Sequence, residues 1–261
     1  MPDNKRVEGG RIGKLGGHEF EKAFAAERGL NPAAVEGDGR TKVDVRSGRH
    51  RISLKNPGKS HTQVALYSPR SWLKHFDMSA EGKSFIKLFF GLPDGEEFAN
   101  EVRRHRVELA ALSKTKEVRR QRLIASSLPK DILGAGLDWF NENAESVFEV
   151  LFVSGINQRE SVNFLGWAWC KDELASVKLY DLELIRQDFV RSAVWIVAPS
   201  QTTLWCKLDG RKILHLQMKG SGSPKYVSWG YHGMMFHMYD SLLKTNYEVS
   251  TETLISTHSI N

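Results

Sequence analysis

Long apolar runs and patterned cysteines are both missing from this chain of 261 residues. No stretch approaches the roughly 20 apolar residues that a membrane-spanning helix needs, and the N-terminal MPDNKRVEGG lacks the apolar core of a signal peptide. We therefore expect no membrane partner and a cytoplasmic location. The chain has 2 cysteines, Cys170 and Cys206, without metal-ligand spacing, so we interpret both as buried reduced thiols.

Motifs for nucleotide and zinc binding are also missing. GGRIGKLGG (9–17) contains a Gly-Lys pair, but Glu8 and Leu15 stand where a phosphate-binding P-loop requires glycine and a hydroxyl residue. No histidine and cysteine set has zinc spacing. We expect neither a nucleotide cofactor nor a zinc site.

The composition is that of a folded globular protein, with 41% hydrophobic and 26% charged residues. Lysine and arginine number 37 against 31 acidic residues, which gives a net charge of +6 and suits a polyanionic partner. Without an internal repeat or a long linker, we interpret residues 1–261 as a single domain.

The pattern of elements predicts a mixed α/β or α+β fold. A helix is predicted in GKLGGHEFEKAFAAERGL (13–30), with Phe20, Phe24, Ala23 and Ala26 marking its apolar face and Gly29 ending it. Short helices are predicted in SPRSWLKHF and SFIKLFFG, and a helical segment over about 96–153. Strands are predicted in TKVDVR, HRISLKN and, within a β-rich part over about 160–245, in VNFLGWAWC, SAVWIVAP, TTLWCKL and RKILHLQMK; HGMMFHMYDSLL is predicted as a final helix.

Polar residues occupy corresponding positions in the first two predicted strands. Ser53 and Lys55 alternate along the second strand and project together, and Asp44 on the first can lie opposite them. Phosphodiester hydrolysis at neutral pH calls for a divalent cation, for which carboxylates are the natural ligands, and a nearby lysine can orient the attacking water. One aspartate holds Mg²⁺ poorly, so Glu21 on the preceding helix is the candidate for a second ligand. A cross-strand ion pair on a solvated face is the alternative interpretation.

This order of residues resembles the PD-(D/E)xK nuclease superfamily, which includes many type II restriction endonucleases. Gly17 to Glu21 (GHEFE) match its helix, with Glu19 as the alternative acid, VD replaces PD, and SLK (Ser53 to Lys55) replaces ExK or DxK. The resemblance covers about residues 13–75, which would form the catalytic core. It implies a mixed β-sheet flanked by helices, Mg²⁺ bound by Asp44 and Glu21, a water positioned by Lys55, and Ser53 orienting a neighbour. It also implies that Gln63 and its neighbours begin a helix near the site and contact DNA.

A second copy of the pattern occurs in LDGRKILHLQMKGSG, with Asp209, Gln217 and Lys219. No glycine-and-glutamate helix immediately precedes it, and Asp-Gly is favoured simply because it closes a hairpin. We therefore favour Asp44, Ser53 and Lys55 as the catalytic set. Lys219, together with the following GSGSPK, suits contact with a phosphate.

Two further stretches are candidates for DNA binding. Basic residues, among them Arg119 and Arg120, dominate residues 103–122 and could follow a DNA backbone, with a solvated helix face as the alternative. The second stretch, residues 217–237, offers phosphate contacts and base readout, with aromatic packing in a core helix as the alternative. Its candidate residues are Lys219, Lys225, Trp229, Tyr231 and His232.

The sequence therefore predicts a Mg²⁺-dependent type II restriction endonuclease that cuts double-stranded DNA at a short specific sequence. Because one active site cuts one strand, we expect a homodimer. The alternatives are a structure-selective repair or recombination nuclease with the same core, and a DNA-binding protein without catalytic activity.

Overall fold

The computed structural model describes residues 4–30, 42–58, 60–90, 125, 128–157, 160–219 and 233–250. They belong to two compact units, each assembled from separate parts of the chain. Unit 1 draws on residues 1–62, 148–188 and 243–261, and unit 2 on residues 63–147 and 189–242. Within the described ranges, no helix combines the length and apolar character needed to cross a membrane.

Each unit contains a five-stranded sheet. The strands are β1 (Val45–Ser47), β2 (His50–Lys55), β3 (His61–Tyr67), β4 (Phe164–Ala168), β5 (Val177–Asp181), β6 (Val194–Val197), β7 (Thr203–Leu208), β8 (Arg211–Lys219), β9 (Gly233–Tyr239) and β10 (Glu248–Val249). Unit 1 has the order β1-β2-β4-β5-β10, in which β2 and β4 are parallel and the other neighbours antiparallel. The sheet of unit 2 has the order β3-β9-β8-β7-β6.

Helices accompany both sheets, so the predicted α/β class is confirmed, with two sheets where one mixed sheet was expected. The helices are α1 (Asn4–Glu27), α2 (Pro69–His75), α3 (Ala80–Phe89), α4 (Lys130–Glu142), α5 (Ala144–Phe148) and α6 (Leu182–Ser192). A π-helix, Glu149–Val153, follows α5. The predicted helical segment over 96–153 is therefore helical from Lys130 onwards, and its first part lies outside the described residues.

Helix α1 covers one face of the unit 1 sheet with an apolar stripe. Phe20, Phe24 and Ala25 are buried in one cluster with Ile52 and Leu54 of β2. Ala23 and Ala26, predicted on this face, are instead exposed, because Ala25 follows Phe24 on the buried side. The helix ends as predicted at Gly29, whose φ of +66° lies in the left-handed region that favours glycine. This packing brings α1 to the β1–β2 hairpin.

Two predictions for unit 2 are wrong. Residues 233–239, predicted as part of a final helix, form the inner strand β9. Nearly all residues of this strand are buried, so its sequence lacks the alternation of apolar and polar residues that distinguishes a strand from a buried helix. Gln63 lies exposed within strand β3 and begins no helix; the VALY that follows it favours a strand through its β-branched and aromatic residues. The interpretation of both cysteines as buried holds for Cys206, whereas Cys170 is exposed.

Candidate active site

The residue directly before the β1–β2 hairpin, Asp44, lies beside Ser53 of β2. Residue pairs run from Val45 with Ile52 to Ser47 with His50, and the Asp44 amide, just before β1, donates to the Ile52 carbonyl at 2.8 Å. Gly48, at φ +54°, closes the turn. The strands meet in this register, so the side chains of Asp44 and Ser53 lie on the same face of the sheet.

A series of hydrogen bonds connects Lys55 to Ser53 and Ser53 to Asp44. Lys55 Nζ donates to Ser53 Oγ at 2.7 Å, and Ser53 Oγ donates to Asp44 Oδ2 at 3.0 Å. Lys55 Nζ also lies 3.1 Å from the Leu54 carbonyl oxygen and 3.5 Å from Asp44 Oδ2. The Leu54 amide donates to the same Asp44 oxygen at 2.7 Å. The lysine ammonium and one carboxylate oxygen are thereby held in place from several directions.

The burial of this group differs from that of an ion pair on a solvated face. The Asp44 and Lys55 side chains are each 21% exposed, and Ser53 is 5% exposed. Burying a charged pair costs solvation free energy, which close hydrogen bonds must offset. The Asp44–Lys55 ion pair considered from the sequence is therefore present, and it is partly buried.

Glu21 shares the electrostatic environment of Asp44 and Lys55. Burial raises the pKa of the Glu21 carboxyl group and the Asp44 charge raises it further, whereas His18 and the Lys55 charge lower it. His18, one helical turn earlier, places Nδ1 3.0 Å from Glu21 Oε2. Of the two acids considered on α1, Glu21 is partly buried and lines the same cavity as Lys55, whereas Glu19 is exposed.

Lys42 belongs to the same electrostatic environment and was not identified from the sequence. Burial lowers the pKa of its ammonium group to about 7, the positive charge of Lys55 adds to this, and Asp44 opposes it. Its position two residues before Asp44 was the available signal, because alternate residues of an extended segment share a face. With a pKa of about 7, Lys42 is only about half protonated at neutral pH, so it adds part of a positive charge to that of Lys55.

Asp44 and Glu21 are the candidate ligands for the expected magnesium ion. The part of the chain that the structure describes contains no group of three or more His, Cys, Asp or Glu residues that could hold a metal ion. Mg²⁺ usually takes one or two carboxylates and keeps several waters, so such a group is not required. Asp44 and Glu21, whose charges disfavour each other, are consistent with that mode of binding.

The competing set does not come together. Asp209 lies in the β7–β8 turn at φ +50°, a left-handed conformation that aspartate tolerates in turns. Lys219 is the last residue of β8, where it pairs with Gly233, whereas the Asp209 turn precedes the first residue of this strand. Asp209 and Lys219 therefore lie at opposite ends of β8.

The predicted DNA-binding residues are divided between unit 2 and the part of the chain that is not described. Gln63 is on β3, and Lys219 ends β8. Those outside the described residues are Arg119, Arg120, Lys225, Trp229, Tyr231 and His232. Their predicted contacts with DNA stay predictions.

Comparisons with known proteins give this chain no family. No protein-family model matches it, and no curated protein shows a significant match.

Proposed function

We propose that this chain is a Mg²⁺-dependent endodeoxyribonuclease whose active site is formed by Asp44, Ser53, Lys55 and Glu21. The observation that carries the proposal is the hydrogen-bonded series from Lys55 through Ser53 to Asp44, with Glu21 in the same electrostatic environment. A coincidental match to a short motif gives no reason for three parts of the chain to meet at one partly buried point.

In this proposal Asp44 and Glu21 hold the ion. Bound there, Mg²⁺ supplies the Lewis acidity and positive charge that hydrolysis of a phosphodiester requires at neutral pH. The contacts of the Asp44 carboxylate with Ser53, Leu54 and Lys55 all fall on Oδ2, so Oδ1 is the atom assigned to the ion.

Lys55 positions the attacking water and offsets negative charge on the phosphate. Its ammonium group has three donors: the Ser53 hydroxyl and Leu54 carbonyl accept from it at 2.7 and 3.1 Å, and the third contact, with Asp44 Oδ2, is the longest at 3.5 Å and the one that a water would replace. Such bonds reduce the freedom of a long side chain before the substrate arrives, which favours catalysis through orientation. Ser53 holds Lys55 and Asp44 in a fixed relation, while Glu21 supplies the second negative charge.

The finer assignment is a type II restriction endonuclease of the PD-(D/E)xK superfamily, acting on double-stranded DNA as a homodimer in the cytoplasm. It is supported by the order of Glu21 on α1, Asp44 directly before β1 and Lys55 at the end of β2. The mixed sheet of unit 1, with its parallel β2–β4 pair and α1 packed on one face, is compatible with it.

Digestion of a sequenced phage genome tests this proposal. We expect discrete fragments in Mg²⁺ and intact DNA in excess EDTA. A smear would indicate nonspecific cleavage, and cleavage restricted to branched or flapped DNA would favour the repair or recombination nuclease. Metal-independent binding without any cleavage would contradict the enzyme assignment and favour the DNA-binding protein.

A further inference from the structure

The cavity that contains Glu21 and Lys55 continues beyond the proposed catalytic residues. It has a volume of about 500 Å³ and lies within unit 1. Its lining includes Gly16 and Gly17 of α1, Asn56 after β2, and Lys171 and Asp172 after β4. The proposed chemistry gives no task to these five residues.

A reciprocal pair of hydrogen bonds fixes the Lys171 loop beside the end of β2. Asn56 Nδ2 donates to Asp172 Oδ1 at 2.7 Å, and the Asp172 amide donates to Asn56 Oδ1 at 2.9 Å. Asp172 has a φ of +61°, a conformation that is uncommon for a residue other than glycine. These contacts join Asn56, which directly follows Lys55, to the residue that directly follows Lys171.

The Lys171 ammonium is available to an anionic ligand. Its side chain is 63% exposed, and its Nζ lies 3.7 Å from Asp172 Oδ2, in a pair that solvent weakens. Its stem passes close to Gly58, where an added Cβ would lie 3.5 Å from Lys171 Cδ. The lysine therefore extends from its anchored loop past the residues that follow β2.

Helix α1 lines the cavity with Phe20 and Glu21 and, one turn earlier, with the bare backbone of Gly16 and Gly17. Among the described residues, a Cβ added at Gly16 would meet no atom within 4 Å outside the backbone of its own helix, and one at Gly17 would have Glu21 Oε1 at 4.0 Å as its nearest contact. Packing inside the protein does not require glycine at either position, although glycine is unfavourable inside a helix. Glycine does allow a ligand backbone to approach the helix closely.

We propose that this part of the cavity binds the phosphate next to the scissile phosphate. Lys171 binds that phosphate, and the adjoining sugar-phosphate backbone lies against Gly16 and Gly17. The subsite rests on the proposed nuclease function, because Lys55 and Glu21 line the same cavity and place the scissile phosphate beside it. It recognises the nucleic-acid backbone and carries no base specificity.

Lys171→Ala and Lys171→Arg test the cationic side of the subsite. Duplex binding by Lys171→Ala is measured in EDTA at several salt concentrations. The slope of log binding constant against log salt concentration is expected to be about 0.9 smaller in magnitude than that of wild type, the value for one lost phosphate contact. In cleavage by Lys171→Ala, KM is expected to rise about tenfold with little change in kcat. Lys171→Arg is expected to restore the wild-type salt slope and KM. Lys178→Ala is the control, because Lys178 lies on β5 of the same unit, is 49% exposed, and is paired with Glu248.

The binding and cleavage assays separate failure of the subsite from failure of the enzyme assignment. If wild type binds DNA but never cuts it, the nuclease proposal fails, and an altered salt slope in Lys171→Ala still supports the phosphate contact. An unchanged slope and KM in Lys171→Ala overturn the subsite, as does a wild type that does not bind DNA.

Gly16→Ala tests the backbone side. Alanine is expected to raise the melting temperature, because it favours the helix and meets no neighbour, while weakening DNA binding about fivefold. Gly134→Ala, on α4 in unit 2 with no atom within 4 Å of the added Cβ, is expected to stabilise equally without affecting DNA binding. A Gly16→Ala variant that gains stability and keeps wild-type affinity would overturn the close approach.

Discussion

Lys55 donates a 2.7 Å hydrogen bond to the hydroxyl group of Ser53, the residue that occupies the usual position of an acid in the nuclease pattern. Because Ser53 in turn donates to Asp44, its hydroxyl group connects the proposed metal ligand to the water-positioning lysine. Ser53→Ala is therefore expected to lower kcat by about 10- to 100-fold, or about 1.4 to 2.7 kcal/mol in transition-state stabilisation.

Ser47→Ala provides the matched control for that measurement. Ser47 is 1% exposed and lies at the other end of the β1–β2 hairpin. Single-turnover cleavage and thermal unfolding of both variants separate a site effect from general loss of stability. Wild-type kcat in Ser53→Ala would show that the serine has no part in orienting Lys55.

Glu21→Gln is expected to raise the Mg²⁺ concentration needed for half-maximal cleavage and to lower the saturated rate about a hundredfold, roughly 2.7 kcal/mol. The reason is the loss of one of two carboxylate charges around the ion. Glu19→Gln is the control, since Glu19 is an exposed acid of the same helix. If the cleavage rates of Glu21→Gln and wild type depend on Mg²⁺ concentration in the same way, Glu21 is not part of the active site.

Two glycines of α4 are expected to respond in opposite ways to alanine. A Cβ at Gly136 would lie 2.1 Å from Cγ of Phe85, whose ring is fully buried, so Gly136→Ala is expected to lower the free energy of unfolding by about 1 to 3 kcal/mol. Gly134→Ala is expected to raise it by up to about 1 kcal/mol. Urea unfolding of both variants gives the measurement. A Gly136→Ala variant with the wild-type free energy of unfolding would contradict the close packing of α3 against α4.

Stability in acid is expected to depend on Glu160. This carboxylate accepts from Arg46 Nε at 3.2 Å and from Arg51 Nε at 2.6 Å, and hydrogen bonding to Arg46 is the main cause of its lowered pKa. A carboxyl group whose pKa is lower in the folded state stabilises the protein above its unfolded pKa, near 4.5, and loses that contribution as the pH falls through the folded value.

Glu160→Gln is therefore expected to cost about 1 kcal/mol at pH 7, a modest value because the group is partly solvated. The difference from wild type is expected to shrink as the pH falls below 4.5. Urea titrations of both proteins across this range give the measurement. A difference that stays constant with pH would assign the effect to packing.

The sequence was most informative where local chemistry decides structure. Gly29 ends α1 because of its left-handed conformation, and alternation along residues 50–55 predicted the face shared by Ser53 and Lys55. Strand β9 was wrongly predicted as a helix, because its two buried faces remove the alternation that identifies a strand. The contact between Asn56 and Asp172 joins residues 116 positions apart, and no local pattern predicts such a pair.

Cleavage of a supercoiled plasmid by Asp44→Asn tests the central claim most directly. Wild type is expected to cut in Mg²⁺, and Asp44→Asn to lose at least about a thousandfold in rate, about 4 kcal/mol, while keeping the wild-type melting temperature within a few degrees. Asp209→Asn, which changes the aspartate of the competing pattern, is expected to cut at the wild-type rate. An Asp44→Asn variant that cuts within about tenfold of wild type, or an Asp209→Asn variant that is inactive, would contradict this account.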